Sequence, residues 1–114
     1  MAFFEIRLVD DDVAYFVIEV PMTQGYVMGR SDGKSDYVPD IDLSELGARD
    51  KGVSRRHAVL VRHEDSMHVV DLNSVNGTYL NGRRLPPELP YPVRNGDVVC
   101  LGTLELRFVE KARQ

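Results

Sequence analysis

The chain has 114 residues, of which 43% are hydrophobic and 28% charged, a composition typical of one folded domain. Apolar runs such as residues 13–18 are far shorter than the about 20 residues that a transmembrane helix needs, and residues 1–5 carry no signal-peptide pattern. The net charge of −4 argues against a general nucleic-acid binder and the lone Cys100 against a disulfide framework, so we expect a cytoplasmic protein without nucleic-acid or membrane partners.

The first half of the chain predicts short strands joined by loops. Apolar and polar residues alternate near the N-terminus, and a second β-rich run follows three aspartates, so residues 3–20 are predicted to form a hairpin. A third strand is predicted at residues 26–28, ending at Gly29. Residues 31–52 lack sustained periodicity and are predicted to be mostly loop, with one short strand at residues 41–43.

The second half has the same character, with turn signals between short strands. Further strands are predicted at residues 57–62, 67–72, 78–80, 98–101 and 104–109. Three Asn-Gly pairs, the strongest short turn signal, lie among them, and four prolines between residues 86 and 92 predict irregular chain there. No window has strong helical spacing, so the pattern predicts an all-β sandwich or barrel whose two terminal strands pair in one sheet.

Three loop clusters carry the residues that suit recognition chemistry. They are residues 29–31, 54–57 and 74–78, each next to a predicted strand. Their guanidinium and hydroxyl groups are hydrogen-bond donors that suit a phosphate, and arginine can pair with phosphate oxygens bidentately. Asn76 offers one donor and one acceptor, which suits a peptide backbone. The residues alone therefore indicate a β scaffold whose loops bind a phosphorylated peptide.

The order of these clusters resembles the forkhead-associated (FHA) domain. The resemblance rests on Gly29-Arg30, on the Ser-Arg-Arg-His run at residues 54–57, and on a turn signature at residues 71–82, with a similar late hairpin at residues 95–102. It covers about residues 3–110, which would form a single domain followed by a polar tail at residues 111–114. It implies a two-sheet β-sandwich of about eleven strands with recognition loops at one end.

The resemblance also implies a function and a role for each matching residue. Members of the family bind phosphothreonine peptides, so we expect a phosphothreonine-containing protein as partner, a Ser/Thr kinase upstream, and neither cofactor nor catalysis. The implied phosphate contacts are Arg30, Ser54 and Arg55. The implied peptide contacts are Asn76, which would hold the backbone beside the phosphothreonine, together with Val75 and Arg56. The implied structural residues are Gly29, His57, Gly77 and Thr78.

Two features depart from the family pattern. The segment between Arg30 and Ser54 is longer than usual, and its acidic residues are expected to disfavour acidic peptides. Val75 stands where some members carry a threonine, which removes one polar contact to the peptide. Neither change affects the three implied phosphate contacts.

Other interpretations of the same residues are weaker. Ser54 and His57 resemble a nucleophile and its base, but no orienting acid or oxyanion site accompanies them, so no enzyme is predicted. His63 and His68 lack metal-ligand spacing and are predicted to be surface residues, while Cys100 is predicted to be a small buried hydrophobe. A phosphate-independent interaction or dimerisation domain of a larger signalling or secretion protein remains the alternative function.

Overall fold

The computed structural model describes residues 2–112, and within them the chain forms eleven β-strands. The strands are β1 (Ala2–Leu8), β2 (Ala14–Glu19), β3 (Tyr26–Gly29), β4 (Ile41–Asp42), β5 (Arg56–His63), β6 (Ser66–Asp71), β7 (Thr78–Leu80), β8 (Arg83–Arg84), β9 (Tyr91–Pro92), β10 (Val98–Leu101) and β11 (Leu104–Ala112). One short 3₁₀ helix, Ser44–Leu46, follows β4. Among these residues, no helix has the length and apolar character that crossing a membrane requires.

The strands form two sheets. One has the order β2-β1-β11-β10-β7-β8 and the other the order β4-β3-β5-β6-β9. The terminal strands β1 and β11 pair antiparallel from Ala2↔Ala112 to Leu8↔Leu106, which confirms the prediction that they share a sheet. The all-β, two-sheet prediction is therefore correct.

The core lies between the sheets and follows from the period-two alternation of the strands. Phe4 and Ile6 of β1 are buried, as are Leu104, Leu106 and Phe108 of β11, while the residues between them face outwards. β5 and β6 contribute buried apolar side chains from the opposite sheet. Each such side chain stabilises the fold by about 1.5–3 kcal/mol, so the sandwich is a rigid base for its loops.

The structure differs from the sequence predictions in several strands. β8 and β9 lie in segments without a strand signal, because two-residue strands are too short to show periodicity. β11 continues to Ala112, because β1 pairs with its polar end; residues 113–114 of the predicted tail lie outside the described chain. His68 is buried, since β9 pairs beside β6 and sets Pro92 opposite it.

Residues 31–52 are more ordered than a loop. β4 pairs parallel to β3, and the 3₁₀ helix follows immediately. Ile41, Leu43 and Ala48 are buried in the core, and the Leu43 amide donates to the Gly29 carbonyl at 2.8 Å. The segment therefore folds back beside the end of β3, and its backbone is held there.

Candidate anion-binding site

The end of β3 and the start of β5 lie against each other. The Arg30 amide donates to the Arg55 carbonyl at 3.2 Å, beside a register shift after Met28. A Cβ on Gly29 would lie 1.9 Å from the Arg55 carbonyl oxygen, so only glycine fits this close approach. The backbone therefore brings two sequence-predicted clusters together.

The Arg30 side chain is anchored to the loop that precedes β5. Its Nε donates to the Val53 carbonyl oxygen at 2.7 Å. Its terminal Nη groups have no hydrogen bond or ion pair with residues 2–112. A guanidinium fixed in this way is preorganised to donate to an anion.

Arg30 and Arg55 line one open cleft of about 410 Å³, which we call the cationic cleft. Its lining residues are Arg30, Ser31, Asp32, Lys34, Ser44, Arg49 and Arg55. A smaller cleft of about 310 Å³ is lined by Tyr37, Ser54, Arg55 and Arg56. Because Arg55 lines both, the three sequence-predicted phosphate contacts lie along adjoining surfaces, and Arg56 lines only the smaller cleft.

Asp32 is the one acidic residue among those that line the cationic cleft. Its pKa is held well below its usual range, mainly because the backbone amides of Ser35 and Lys34 donate to it at 2.9 Å, with Arg55 contributing. An Nη group of Arg55 lies 3.3 Å from its other oxygen. Asp32 therefore orients Arg55 through an exposed ion pair, a kind of contact that contributes little to stability and that a stronger anion can displace.

His57 connects the loop of Ser54 to the turn that carries Asn76. Its imidazole is buried; Nδ1 accepts from the Ser54 amide at 3.0 Å, and Nε2 donates to the Gly77 carbonyl at 2.8 Å. Burial lowers its pKa, against the opposing effects of the Gly77 carbonyl and Asp71, so the ring is neutral near pH 7. Since both ring nitrogens are engaged with the backbone, His57 has no nitrogen left to serve the Ser54 hydroxyl as a base.

Asn76 lies on the other side of this loop from the cationic cleft. Its Nδ2 donates to the Gly52 carbonyl at 2.9 Å, and its side chain is exposed on a groove shared with Thr103. Gly77 follows with a φ of 87°, which a glycine adopts without strain. Val75 is 83% exposed beside Asn76 and so presents an apolar side chain at the tip of the turn.

Asp71 organises this turn from within. One of its buried carboxylate oxygens accepts from the Thr78 and Ser74 hydroxyls, each at 2.6 Å, and the Ser74 hydroxyl accepts from the Gly77 amide at 3.0 Å. Thr78 thus acts through its hydroxyl in the interior. The sequence analysis assigned Asp71 no role, although its spacing to Ser74 is that of a side chain that caps a turn.

Five residues that line the two clefts were not predicted as site residues: Asp32, Lys34, Tyr37, Ser44 and Arg49. Lys34 and Arg49 belong to the basic residues between residues 30 and 62, but their shared position depends on how residues 31–52 fold back. Tyr37 lines the smaller cleft, and its hydroxyl is buried without a hydrogen-bond partner among the described residues. No local pattern would have identified Tyr37.

Two features bear on other chemistry. Among residues 2–112, no three histidine, cysteine or acidic side chains lie close enough to hold a metal ion. Cys100 is half-buried on the outer face of its sheet instead of fully buried, and burial together with Glu105 raises the pKa of its thiol. A thiol of raised pKa is a poor nucleophile at neutral pH.

Comparison with known proteins gives one consistent result. The model of the FHA domain family matches residues 26–102. The chain is 40% identical over 65 residues to the probable E3 ubiquitin-protein ligase dma1 of Schizosaccharomyces pombe, covering 54% of this chain and 24% of that protein. It is 40% identical over 70 residues to the oxoglutarate dehydrogenase inhibitor of Corynebacterium diphtheriae, covering 61% and 47%. The chain thus spans less than half the length of these curated relatives.

A solved structure extends the similarity to the complete fold. The structure comes from a structural and functional analysis of phosphothreonine-dependent FHA domain interactions. It shares 26% identity with this chain at a TM-score of 0.67, covering 94% of this chain and 95% of the solved one. The two chains therefore share one fold over nearly their whole length.

Proposed function

The chain belongs to the FHA domain family, a family of protein-interaction modules, and on that premise we propose that it binds protein segments containing phosphothreonine. The observation that carries the proposal is the cationic cleft, where the Arg30 and Arg55 guanidinium groups meet beside the Ser54 loop. A phosphothreonine carries about −1.5 to −2 charges and three acceptor oxygens at pH 7. A neutral threonine would make none of these charge-assisted contacts.

Each site residue has a role in the proposed complex. Arg30, Ser54 and Arg55 donate to the phosphate oxygens, and the phosphate displaces Asp32 from Arg55. The side-chain oxygen of Asn76 has no hydrogen bond with residues 2–112, so it can accept one from the peptide backbone. Val75 and Arg56 are exposed at the rim, where they contact the residues flanking the phosphothreonine.

Such an interaction places the protein downstream of a Ser/Thr kinase, as a reader of phosphorylated partners and not as an enzyme. The buried peptide segment is short, so we expect a micromolar affinity, about −7 to −9 kcal/mol. That range suits reversible signalling.

Calorimetry with matched peptides tests the proposal. We expect a phosphothreonine peptide to bind and its unphosphorylated form not to bind. Arg30→Ala should abolish detectable binding, because it removes a fixed, unpaired guanidinium. Arg94→Ala removes an exposed arginine at the opposite end of the sandwich, where β1 begins, and should leave the affinity unchanged. Unchanged affinity in Arg30→Ala, with the fold intact by circular dichroism, would refute the assignment.

A second candidate function rests on the outer edge of the larger sheet. β2 is an edge strand, and its side chains Tyr15 and Val17 are 40% and 56% exposed. Exposed apolar edge strands pair readily with other chains, so a phosphate-independent protein contact or dimer would use this strand. Light scattering over a concentration series, with Val17→Lys as the disrupting variant, distinguishes this function from phosphopeptide binding.

A further inference from the structure

The cationic cleft contains more positive charge than one phosphate requires. Arg30 and Arg55 suffice for the proposed phosphate contacts, yet Lys34 and Arg49 line the same cleft. Neither of these two side chains makes an ion pair or a side-chain hydrogen bond with residues 2–112. With only one carboxylate, that of Asp32, the cleft stays positive after a phosphate of about −2 has bound.

Three acidic residues of the same segment already accept hydrogen bonds from the protein. Asp32 accepts from two backbone amides and pairs with Arg55. Asp42 accepts from the hydroxyls and amides of Ser31 and Ser44; burial alone would raise its pKa, but these hydrogen bonds outweigh burial and lower it. Asp40 accepts from the Val27 amide at 2.9 Å.

The remaining acidic residues of the segment, Asp36, Glu45 and Asp50, do not line the cationic cleft. The sequence suggested that these acids would disfavour acidic peptides. The arrangement of the side chains favours the opposite preference, because four cations and only one carboxylate line the cleft.

The two additional cations stand on ordered backbone. Lys34 follows Asp32 in a turn that the Asp32 carboxylate caps, with the Lys34 amide 2.9 Å from that carboxylate. Arg49 follows the buried Ala48, whose carbonyl accepts from the Val53 amide at 2.9 Å. Their backbone positions therefore persist without ligand, so binding an anion requires only the ordering of two side chains.

We propose that the phosphothreonine segments bound by this protein carry a second anionic group within a few residues of the phosphothreonine, and that Lys34 and Arg49 contact it. This inference rests on the proposed function, since it assigns the phosphothreonine to Arg30, Ser54 and Arg55. The second group is a carboxylate or a second phosphate, both of which accept charge-assisted hydrogen bonds from lysine and arginine.

A peptide scan measured by calorimetry tests the inference. The parent is a phosphothreonine peptide with neutral flanks, and each further peptide carries one glutamate at a position from three before to three after the phosphothreonine. We expect at least one position to raise the affinity about tenfold. Phosphoserine in place of that glutamate shows which anionic group is preferred. A further gain in affinity indicates a phosphate, and no further gain indicates a carboxylate. The gain should decrease at high salt.

Variants decide whether Lys34 and Arg49 cause the gain. Lys34→Ala with Arg49→Ala should abolish the gain while binding the neutral-flank peptide within about twofold of the wild type. Arg83→Ala with Arg94→Ala, two exposed arginines outside the cleft, is the matched control and should retain the gain. A flat scan, or a gain that persists without Lys34 and Arg49, overturns the inference alone. Failure of the neutral-flank phosphothreonine peptide to bind at all refutes the proposed function and this inference with it.

Discussion

At the scale of single residues, His57 couples the two loops of the proposed site. One imidazole nitrogen accepts from the Ser54 amide and the other donates to the Gly77 carbonyl. These two hydrogen bonds fix the ring in one tautomer. A protonated ring would lose the first of these bonds, because Nδ1 would become a donor facing a donor. The site is therefore preorganised only while His57 is neutral.

This arrangement predicts a pH dependence of stability. The folded-state pKa of His57 lies below its ordinary value of 6.5, so the unfolded chain binds more protons as the pH falls through 6.5 towards the folded pKa. The free energy of unfolding should therefore decrease in that window. Urea denaturation at pH 7.5 and 5.5 measures the change, and NMR titration of the His57 ring measures the pKa. A ring titration midpoint at or above 6.5 would contradict the prediction.

The buried Asp71 predicts a cost for removing one hydroxyl. Thr78→Val keeps the shape of the side chain but deletes a donor to the buried carboxylate, and we expect a loss of about 1–3 kcal/mol. Thr103→Val also removes a threonine hydroxyl, here an exposed one, and should change the free energy of unfolding by less than about 0.5 kcal/mol. Equal effects of the two substitutions in denaturant titrations would disprove the role given to Asp71.

At the scale of elements, β11 lies in the middle of the larger sheet, between the N-terminal strand β1 and β10. Leu106 is fully buried, whereas the adjacent Glu105 is exposed on the other face. Leu106→Ala should destabilise the protein by about 2–5 kcal/mol, and Glu105→Ala by much less. Chemical denaturation compares them; a small effect at Leu106 would mean that the two sheets do not share the described core.

The sequence predicts elements well where the physical signal is local. The alternation of apolar and polar residues predicts β1, runs of β-forming residues predict β5, β6 and β11, and Asn-Gly turns delimit β7 and β10. β8 and β9 lack such a signal, because neighbouring strands and not their own residues make them strands. The buried His68 is a consequence of the same tertiary pairing.

The site was predictable to the extent that its residues lie in recognisable motifs. The sequence motifs that contain Arg30, Ser54 and Asn76 predict these three as candidate site residues. The places of Lys34 and Arg49 depend on the buried Leu43 and Ala48, which fold the segment against β3. Asp32, Asp42 and their hydrogen bonds likewise depend on that three-dimensional arrangement, so a count of charges along the segment does not show which side chains line the cleft.

At the scale of the whole molecule, the chain has a net charge of −4, whereas the side chains that line the cationic cleft are mostly positive. The four basic side chains that line the cleft attract anions electrostatically, and dissolved salt screens that attraction. The affinity for a phosphothreonine peptide should therefore fall severalfold between 50 and 500 mM NaCl. Calorimetry at both salt concentrations measures this, and an affinity independent of salt would indicate an apolar mode of binding.

The most direct test of the central claim is an NMR titration of the ¹⁵N-labelled protein with matched phosphorylated and unphosphorylated threonine peptides. If the protein binds phosphothreonine at the cationic cleft, only the phosphorylated peptide should shift the amide signals. The largest shifts should then occur together at Arg30, Ser54, Arg55 and Asn76. Identical shifts with both peptides, or shifts confined to the exposed edge strand β2, would contradict this prediction.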